Sequence, residues 1–247
     1  MIAIKTPEEI EKMRAAGRIL RQALDAAGAA LRPGLTTGEL DAIVRGTIEA
    51  AGARPAFLGY NGFPGSACIS VNEEVVHGIP GDRALQAGDL VGVDVGVDLD
   101  GYFADACDSF AVGEADEETR RLMTVTRRAR DLGIEQCRPG RHVGDISHAV
   151  QVHVEANGFS VVRELVGHGI GRRLHEEPQV PNFGPSGRGP RLEAGMVLAI
   201  EPMVNAGTEA VRTLNDQWTV VTADGRRSAH YEHTVAVTEN GPDILTR

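Results

Sequence analysis

The feature that most constrains this 247-residue chain is that its second half repeats its first. Leu85-Gln-Ala-Gly88-Asp-Leu-Val-Gly-Val-Asp94 recurs about a hundred residues later as Leu192-Glu-Ala-Gly195-Met-Val-Leu-Ala-Ile-Glu201. Leucine, alanine and glycine return in step, an apolar strand follows, and each strand ends in a carboxylate. Arg32-Pro-Gly34, Gly38 and Gly52 stand in the same relation to Arg138-Pro-Gly140, Gly144 and Gly158. Two like halves, about residues 1–115 and 116–247, predict one domain of two lobes packed about a pseudo-twofold axis. Such an axis brings Asp94 and Glu201 toward one central site.

Asp94 itself begins a second argument. Asp89 to Phe110 reads as two alternating runs joined at Leu99-Asp100-Gly101, which is a hairpin pattern. A two-residue turn at either Leu99-Asp100 or Asp100-Gly101 puts Asp94 and Asp105 on one face, as direct or diagonal cross-strand neighbours. Carboxylates so close repel, and a core strand tolerates them with a cation between them. A solvated acidic sheet face is the alternative that this stretch alone leaves open.

Hydrophobic residues make up 42% of the chain, enough for a substantial core. No proline-rich linker or low-complexity segment separates the halves. A net charge of −10 argues against wholesale polyanion binding, DNA included. The basic concentration at Arg120, Arg121, Arg127, Arg128 and Arg130 reads as a solvated helix face, with docking to an RNA surface such as the ribosome as the other reading. Three cysteines, Cys68, Cys107 and Cys137, are widely spaced with no Cys-x-x-Cys pair, which fits a reducing cytoplasm without disulfides or structural zinc. No leader-like or membrane-spanning apolar run is present in the sequence, so no membrane role is expected.

Capping signals predict the helices. Thr6-Pro-Glu-Glu9 and Thr36-Thr-Gly-Glu39 start two, a third starts near Asp116 and ends before Pro139, and a fourth runs from about Val143 to Asn157-Gly158. Strands are expected around Val161 to Val166, Met196 to Val204, Thr219 to Ala223 and Tyr231 to Thr238. Between Arg54 and Pro80 lies a glycine-rich loop carrying Phe57, Tyr60 and Phe63, in a chain that is only 4% aromatic. That scarcity makes the cluster informative.

Two further stretches add ligands: Val166-Gly-His168-Gly-Ile-Gly171-Arg-Arg-Leu-His175-Glu-Glu-Pro178, and Tyr231-Glu232-His233-Thr-Val-Ala-Val. Asp94, Asp105, His168, Glu201 and Glu232 together form a hard, oxygen-rich set suited to two divalent first-row ions sharing carboxylates. By themselves these residues describe a two-lobed dinuclear metallohydrolase, with phosphoester and amide substrates both open.

The motifs Val-Val-His77-Gly-Ile-Pro, Asp94-x10-Asp105, Gly-His168-Gly-Ile-Gly, Ile-Glu201-Pro-Met and Tyr-Glu232-His-Thr make the chain resemble type I methionine aminopeptidases over essentially its whole length. The resemblance implies an α+β pita-bread fold, with outer helices around a curved antiparallel sheet. It implies that the five residues above hold two divalent ions, with Co, Mn, Fe and Zn all compatible. It also implies that the hydroxide shared by the ions attacks the scissile carbonyl while Glu201 shuttles the proton. His77 would then contact the substrate near the scissile amide, and His175 would hydrogen-bond the carbonyl oxygen as it gains charge. The methionine pocket carried over in this way is Phe57, Tyr60, Phe63, Cys68, Leu174 and Trp218. Leu174 and Phe63 depart from the aromatic and the tyrosine common at those places in the family.

The implied substrate is the initiator methionine of nascent polypeptides with a small second residue, cleaved by a cytoplasmic monomer. His142, His148, His153, His230 and His233 are read as structural, because nothing pairs them with these motifs. Prolidases and aminopeptidase P share the five ligands and are the nearest enzymatic alternative; a non-catalytic binding module of the same fold is the other. The aromatic loop and Tyr-Glu232-His-Thr favour the methionine enzyme. So does the absence of the extra N-terminal domain those relatives carry.

Overall fold

The computed structural model describes residues 2–247. Among them are four long helices: α1 (Pro7–Ala30), α2 (Thr37–Ala50), α3 (Glu117–Glu135) and α4 (Val143–Ala156). The predicted caps are in place. The Thr6 hydroxyl accepts from the Glu9 N–H while the Glu9 carboxylate accepts from the Thr6 N–H, and Thr36 and Glu39 repeat the exchange. Asp116 caps α3. One apolar face of α1, from Met13 through Leu20 and Leu24 to Ala27, packs with α2 against the strands of the first half. Helices α3 and α4 pack on each other and cover the second half.

The repeat reappears in the backbone hydrogen bonds. Gly34 N–H donates to Leu85 O and Leu85 N–H to Leu35 O; Gly140 N–H donates to Leu192 O and Leu192 N–H to Arg141 O. Gly38 reaches Gly81 as Gly144 reaches Arg188. The paired glycines also share a conformation: Gly34 and Gly140 have φ of 88° and 89°, Gly88 and Gly195 90° and 92°. Like sequence has produced like turns because only glycine enters this left-handed region at low cost.

All strand pairings in the sheets are antiparallel. The hairpin Leu90–Leu99/Tyr102–Ala111 anchors the first half, with Ala67–Val71 along its other edge. In the second half, Val197–Ile200 lies between His233–Thr238 and Gly167–Gly169. The sequence suggests continuous strands over Met196 to Val204 and Tyr231 to Thr238, and the structure breaks both. Val197–Ile200 and His233–Thr238 pair in one sheet, whereas Met203–Asn205 and Ser228–His230 pair in another. Pro202, which has no N–H to give a ladder, stands at the first break. The stretch expected as a strand from Val161 to Val166 retains only Ser160–Val161, and the expected Thr219–Ala223 is Val220–Thr222.

Candidate metal centre and its cavity

The hairpin turn is at Asp100-Gly101, whose φ values of 53° and 76° are both left-handed, as a type I′ turn requires. Leu99 therefore pairs with Tyr102, Gly96 with Asp105, and Asp94 with Cys107. Of the two registers left open by the sequence, this is the one that makes Asp94 and Asp105 diagonal neighbours. Cys68 pairs with Asp94 from its other side, so two thiols flank that carboxylate. The Thr234 hydroxyl accepts from Asp105 N–H at 2.9 Å and donates to Asp105 O at 2.7 Å, stitching the hairpin to the second half. Glu232 N–H donates to Cys107 O at 2.8 Å and adds a second stitch.

His168 is held between glycines for a steric reason. A methyl on Gly167 would lie 2.4 Å from Ala199 O, and one on Gly169 2.2 Å from Glu177 O. The neighbouring backbones leave no room for a side chain on either side of the imidazole. His168 Nδ1–H donates to Gly169 O at 2.8 Å, which leaves the Nε2 lone pair facing the acids. Nε2 lies 3.5 Å from Glu201 Oε1 and 3.8 Å from Asp105 Oδ2.

Glu201 and Glu232 occupy the two strand breaks. The pairs Ile200–His233 and Met203–His230 bracket them, so the two carboxylates face each other where both strands change sheet.

Burial makes this cluster of acids unstable by itself. Asp94 Oδ1, Asp105 Oδ1 and Glu232 Oε1 are buried without a hydrogen-bond partner. Burial pushes the Asp94 carboxyl up to about 7 and raises Asp105, Glu201 and Glu232 well above the usual carboxylate range, with mutual repulsion adding to it. Burial likewise pushes the His168 imidazole down to about 3, so it stays neutral and able to bind a cation. Orphaned carboxylate oxygens beside a neutral imidazole are the donor set that divalent ions require. Among the described residues two groups lie close enough to hold an ion, Asp105–His168–Glu232 and Glu201–His230–Glu232, with Glu232 common to both.

These groups lie at one side of a cavity of about 280 Å³. Its wall includes Phe57, Tyr60, Phe63, Cys68, His77 and Trp218. The Phe63 and Trp218 rings meet edge to face at 5.2 Å, and His77 meets Trp218 at 6.2 Å. His77 has a φ of 59°, an unusual conformation for a residue with a side chain, of the kind that concentrates at functional sites. The His175 ring lies 4.2 Å from that of His168, and its Nδ1 is 2.8 Å from the Tyr60 hydroxyl. Burial lowers the His175 pKa, so this ring too is neutral at pH 7.

Some expectations change. Leu174 does not line the cavity; it is buried behind the wall with Phe57, Phe63 and Met13. Leu174 stands in the bend before the strand Glu176–Val180, and there its side chain packs into the core while His175 lines the cavity. His230, read as structural, lines the cavity with its Nε2 buried and unpartnered. The signal was the spacing: His230 and Glu232 are two apart and so share a face. Val76, Val166 and Met203, from the stretches around His77, His168 and Glu201, also line the cavity, as do Glu164 and Leu165, which carried no motif. His233, by contrast, bonds Thr246 Oγ1 through Nδ1, outside the cavity.

The arginine cluster is not a uniform solvated face. Arg130 is buried beside Asp131, and Arg127 and Arg130 lie over the Tyr231 ring at 4.8 and 5.8 Å. They support the backbone next to Glu232. All three cysteines are free, buried, and raised in pKa by that burial, which makes them inert packing groups.

Comparison with known proteins agrees with this geometry. Residues 11–239 match metallopeptidase family M24. The methionine aminopeptidase of Clostridium perfringens is 55% identical, covering 100% of this chain and 99% of its own length. The chain belongs to this family. Among solved structures of M24-type fold, the methionine aminopeptidase of Rickettsia prowazekii superposes with a TM-score of 0.99 at 43% identity, each chain covered in full. The prolidase of Pyrococcus furiosus is more distant, with a TM-score of 0.80 at 26% identity, and only 65% of its length is covered. The fold is therefore the α+β pita-bread fold, and the M24 chain described here sits with the methionine aminopeptidases rather than the prolidases.

Proposed function

We propose that the chain removes the initiator methionine from nascent polypeptides whose second residue is small, with two divalent ions held by Asp94, Asp105, His168, Glu201 and Glu232. The observation that carries this reading is the placement of orphaned, buried carboxylates and His168 beside an apolar, aromatic-walled slot. When bound, divalent ions here would lower the pKa of a water and polarise the scissile carbonyl.

The chain's own residues supply the rest. Glu201 takes the proton of the attacking water and returns it to the leaving amine. The Tyr60 hydroxyl lies 2.8 Å from His175 Nδ1; with the hydroxyl as donor, the imidazole proton is on Nε2, where it can meet the carbonyl oxygen as it gains charge. His77 contacts the amide side of the substrate. Phe57, Phe63, Cys68 and Trp218 enclose the methionine side chain, whose thioether packs well against aromatic edges.

The site draws residues from both halves of the duplication, which supports one catalytic unit rather than two. No helix among the described residues is long and apolar enough to cross a membrane. A nascent-chain substrate places the proposed activity in the cytoplasm, at the ribosome. Hydrolysis of Met-Ala-Ser, Met-Phe-Ser and Ala-Pro-Ser by metal-reconstituted protein tests the assignment. Preferential cleavage of Ala-Pro-Ser would move the chain to the proline-specific relatives.

A further inference from the structure

We propose that His230 is a sixth protein ligand of the metal centre, giving the ion on the Glu201–Glu232 side a nitrogen donor of its own. The proposal rests on the metal-centre reading above and goes beyond its five ligands. His230 is 4% exposed, and its Nε2 is buried with no hydrogen-bond partner. That nitrogen lies 3.8 Å from Glu232 Oε2 and 3.9 Å from Glu201 Oε2. Both are too long for a hydrogen bond. Ligand atoms each about 2.0–2.2 Å from a shared ion can stand up to roughly 4.4 Å apart, so both separations fit one ion between them.

The backbone holds the ring in place without help from the imidazole. The Ser109 hydroxyl donates to His230 O at 2.8 Å and accepts from His230 N–H at 3.1 Å, and His230 pairs with Met203 across the ladder. Nothing in this arrangement uses Nε2, which leaves an unmet polar atom aimed at two acids. On the other side of Glu232, His168 offers its own Nε2 to Asp105 and Glu201. Each ion position then has one imidazole, and Glu232 is common to both.

Imidazole favours Fe, Co, Ni and Zn, whereas an all-oxygen site suits Mn and Mg. A nitrogen at each position therefore shifts the second ion away from Mn.

The test is the NMR spectrum of full-length protein carrying two Co(II) ions. Exchangeable N–H signals of ligating imidazoles are displaced far from the ordinary range by the paramagnetic ion. Two such signals are expected for the unaltered chain and one for His230→Gln. Calorimetric titration should show the second Co(II) bound at least about tenfold more weakly by His230→Gln, with the first ion little changed. Competition in the same variant should shift the second position toward Mn. Circular dichroism establishes that the variant is folded, and His230→Asn serves the same purpose if it is not. Two bound ions with a single displaced imidazole signal in the unaltered chain would overturn the proposal while leaving the metallopeptidase reading intact. Failure to bind any divalent ion would overturn both.

Discussion

Glu201 and Glu232 face each other across two neighbouring strands at the point where both strands leave one sheet for another. The register runs unshifted through the break, so the two carboxylates stand directly opposite each other and on the same face. It also makes Glu232 the acid shared by both groups able to hold an ion. Replacing Glu232 by Ala should therefore cost more than one ligand. Metal analysis of the purified variant is expected to show fewer than two tightly bound ions per chain, and peptide hydrolysis should fall by at least about 10²-fold. Full stoichiometry in that variant would contradict the shared position.

Stability without metal should depend on pH in an unusual direction. Burial pushes the Asp94 carboxyl up to about 7 in the folded chain, against 3.8 when unfolded, and Asp105, Glu201 and Glu232 are also held well above the usual carboxylate range. The folded metal-free protein thus keeps protons that the unfolded chain has lost, and stability falls as pH rises through about 7. His168 and His230, both depressed to about 3, act oppositely, but their contribution is complete above the unfolded value of 6.5. Between about pH 7 and pH 8 the acids decide the sign. The Tm of chelator-treated protein should drop across that interval, and added Co(II) or Mn(II) should shrink the drop. A flat Tm without metal would count against the cluster of raised carboxyls.

Gly169→Ala tests the packing that aims His168. Its methyl would meet Glu177 O, a backbone atom that cannot swing away. A loss of about 1–3 kcal/mol in unfolding free energy is expected, together with weaker metal binding, because the strand carrying His168 must shift. Denaturant melts and metal titration measure the two effects separately.

Tyr60→Phe removes the hydrogen bond to His175 Nδ1 and leaves the ring's packing. With about 0.5–1.5 kcal/mol lost, kcat/KM should fall roughly 2- to 12-fold near neutral pH. The Tyr60 side chain is partly exposed, so the melting temperature should hold. An unchanged kcat/KM would mean that His175 does not depend on Tyr60 for its tautomer.

Much of this was legible because the relevant signals are local or repeated. Capping boxes at Thr6 and Thr36, the Asp100-Gly101 turn, and the echo of Leu85–Asp94 in Leu192–Glu201 each declare a conformation within a few residues. Pro202 marks the break after Glu201, whereas the break at Tyr231-Glu232 was not legible, because no proline or glycine interrupts the run from Ser228 to Thr238. The two-residue spacing puts His230 on the face of Glu232, but its approach to Glu201 arises from tertiary packing that the spacing does not show. Leu174 erred in the other direction, since adjacency to His175 in sequence does not give it the same face. The arginines of α3 looked solvated because the ring they cover, Tyr231, is distant along the chain.

The central claim is that these buried carboxylates and His168 run a metal-dependent aminopeptidase. The most direct measurement is hydrolysis of Met-Ala-Ser by metal-depleted protein reconstituted in parallel with Mn, Fe, Co and Zn, beside a Glu201→Gln control. Cleavage restored by at least one metal, confined to the N-terminal methionine and lower by at least about 10²-fold in the control, is the expected result. Folded, metal-loaded protein that leaves Met-Ala-Ser intact would contradict the account.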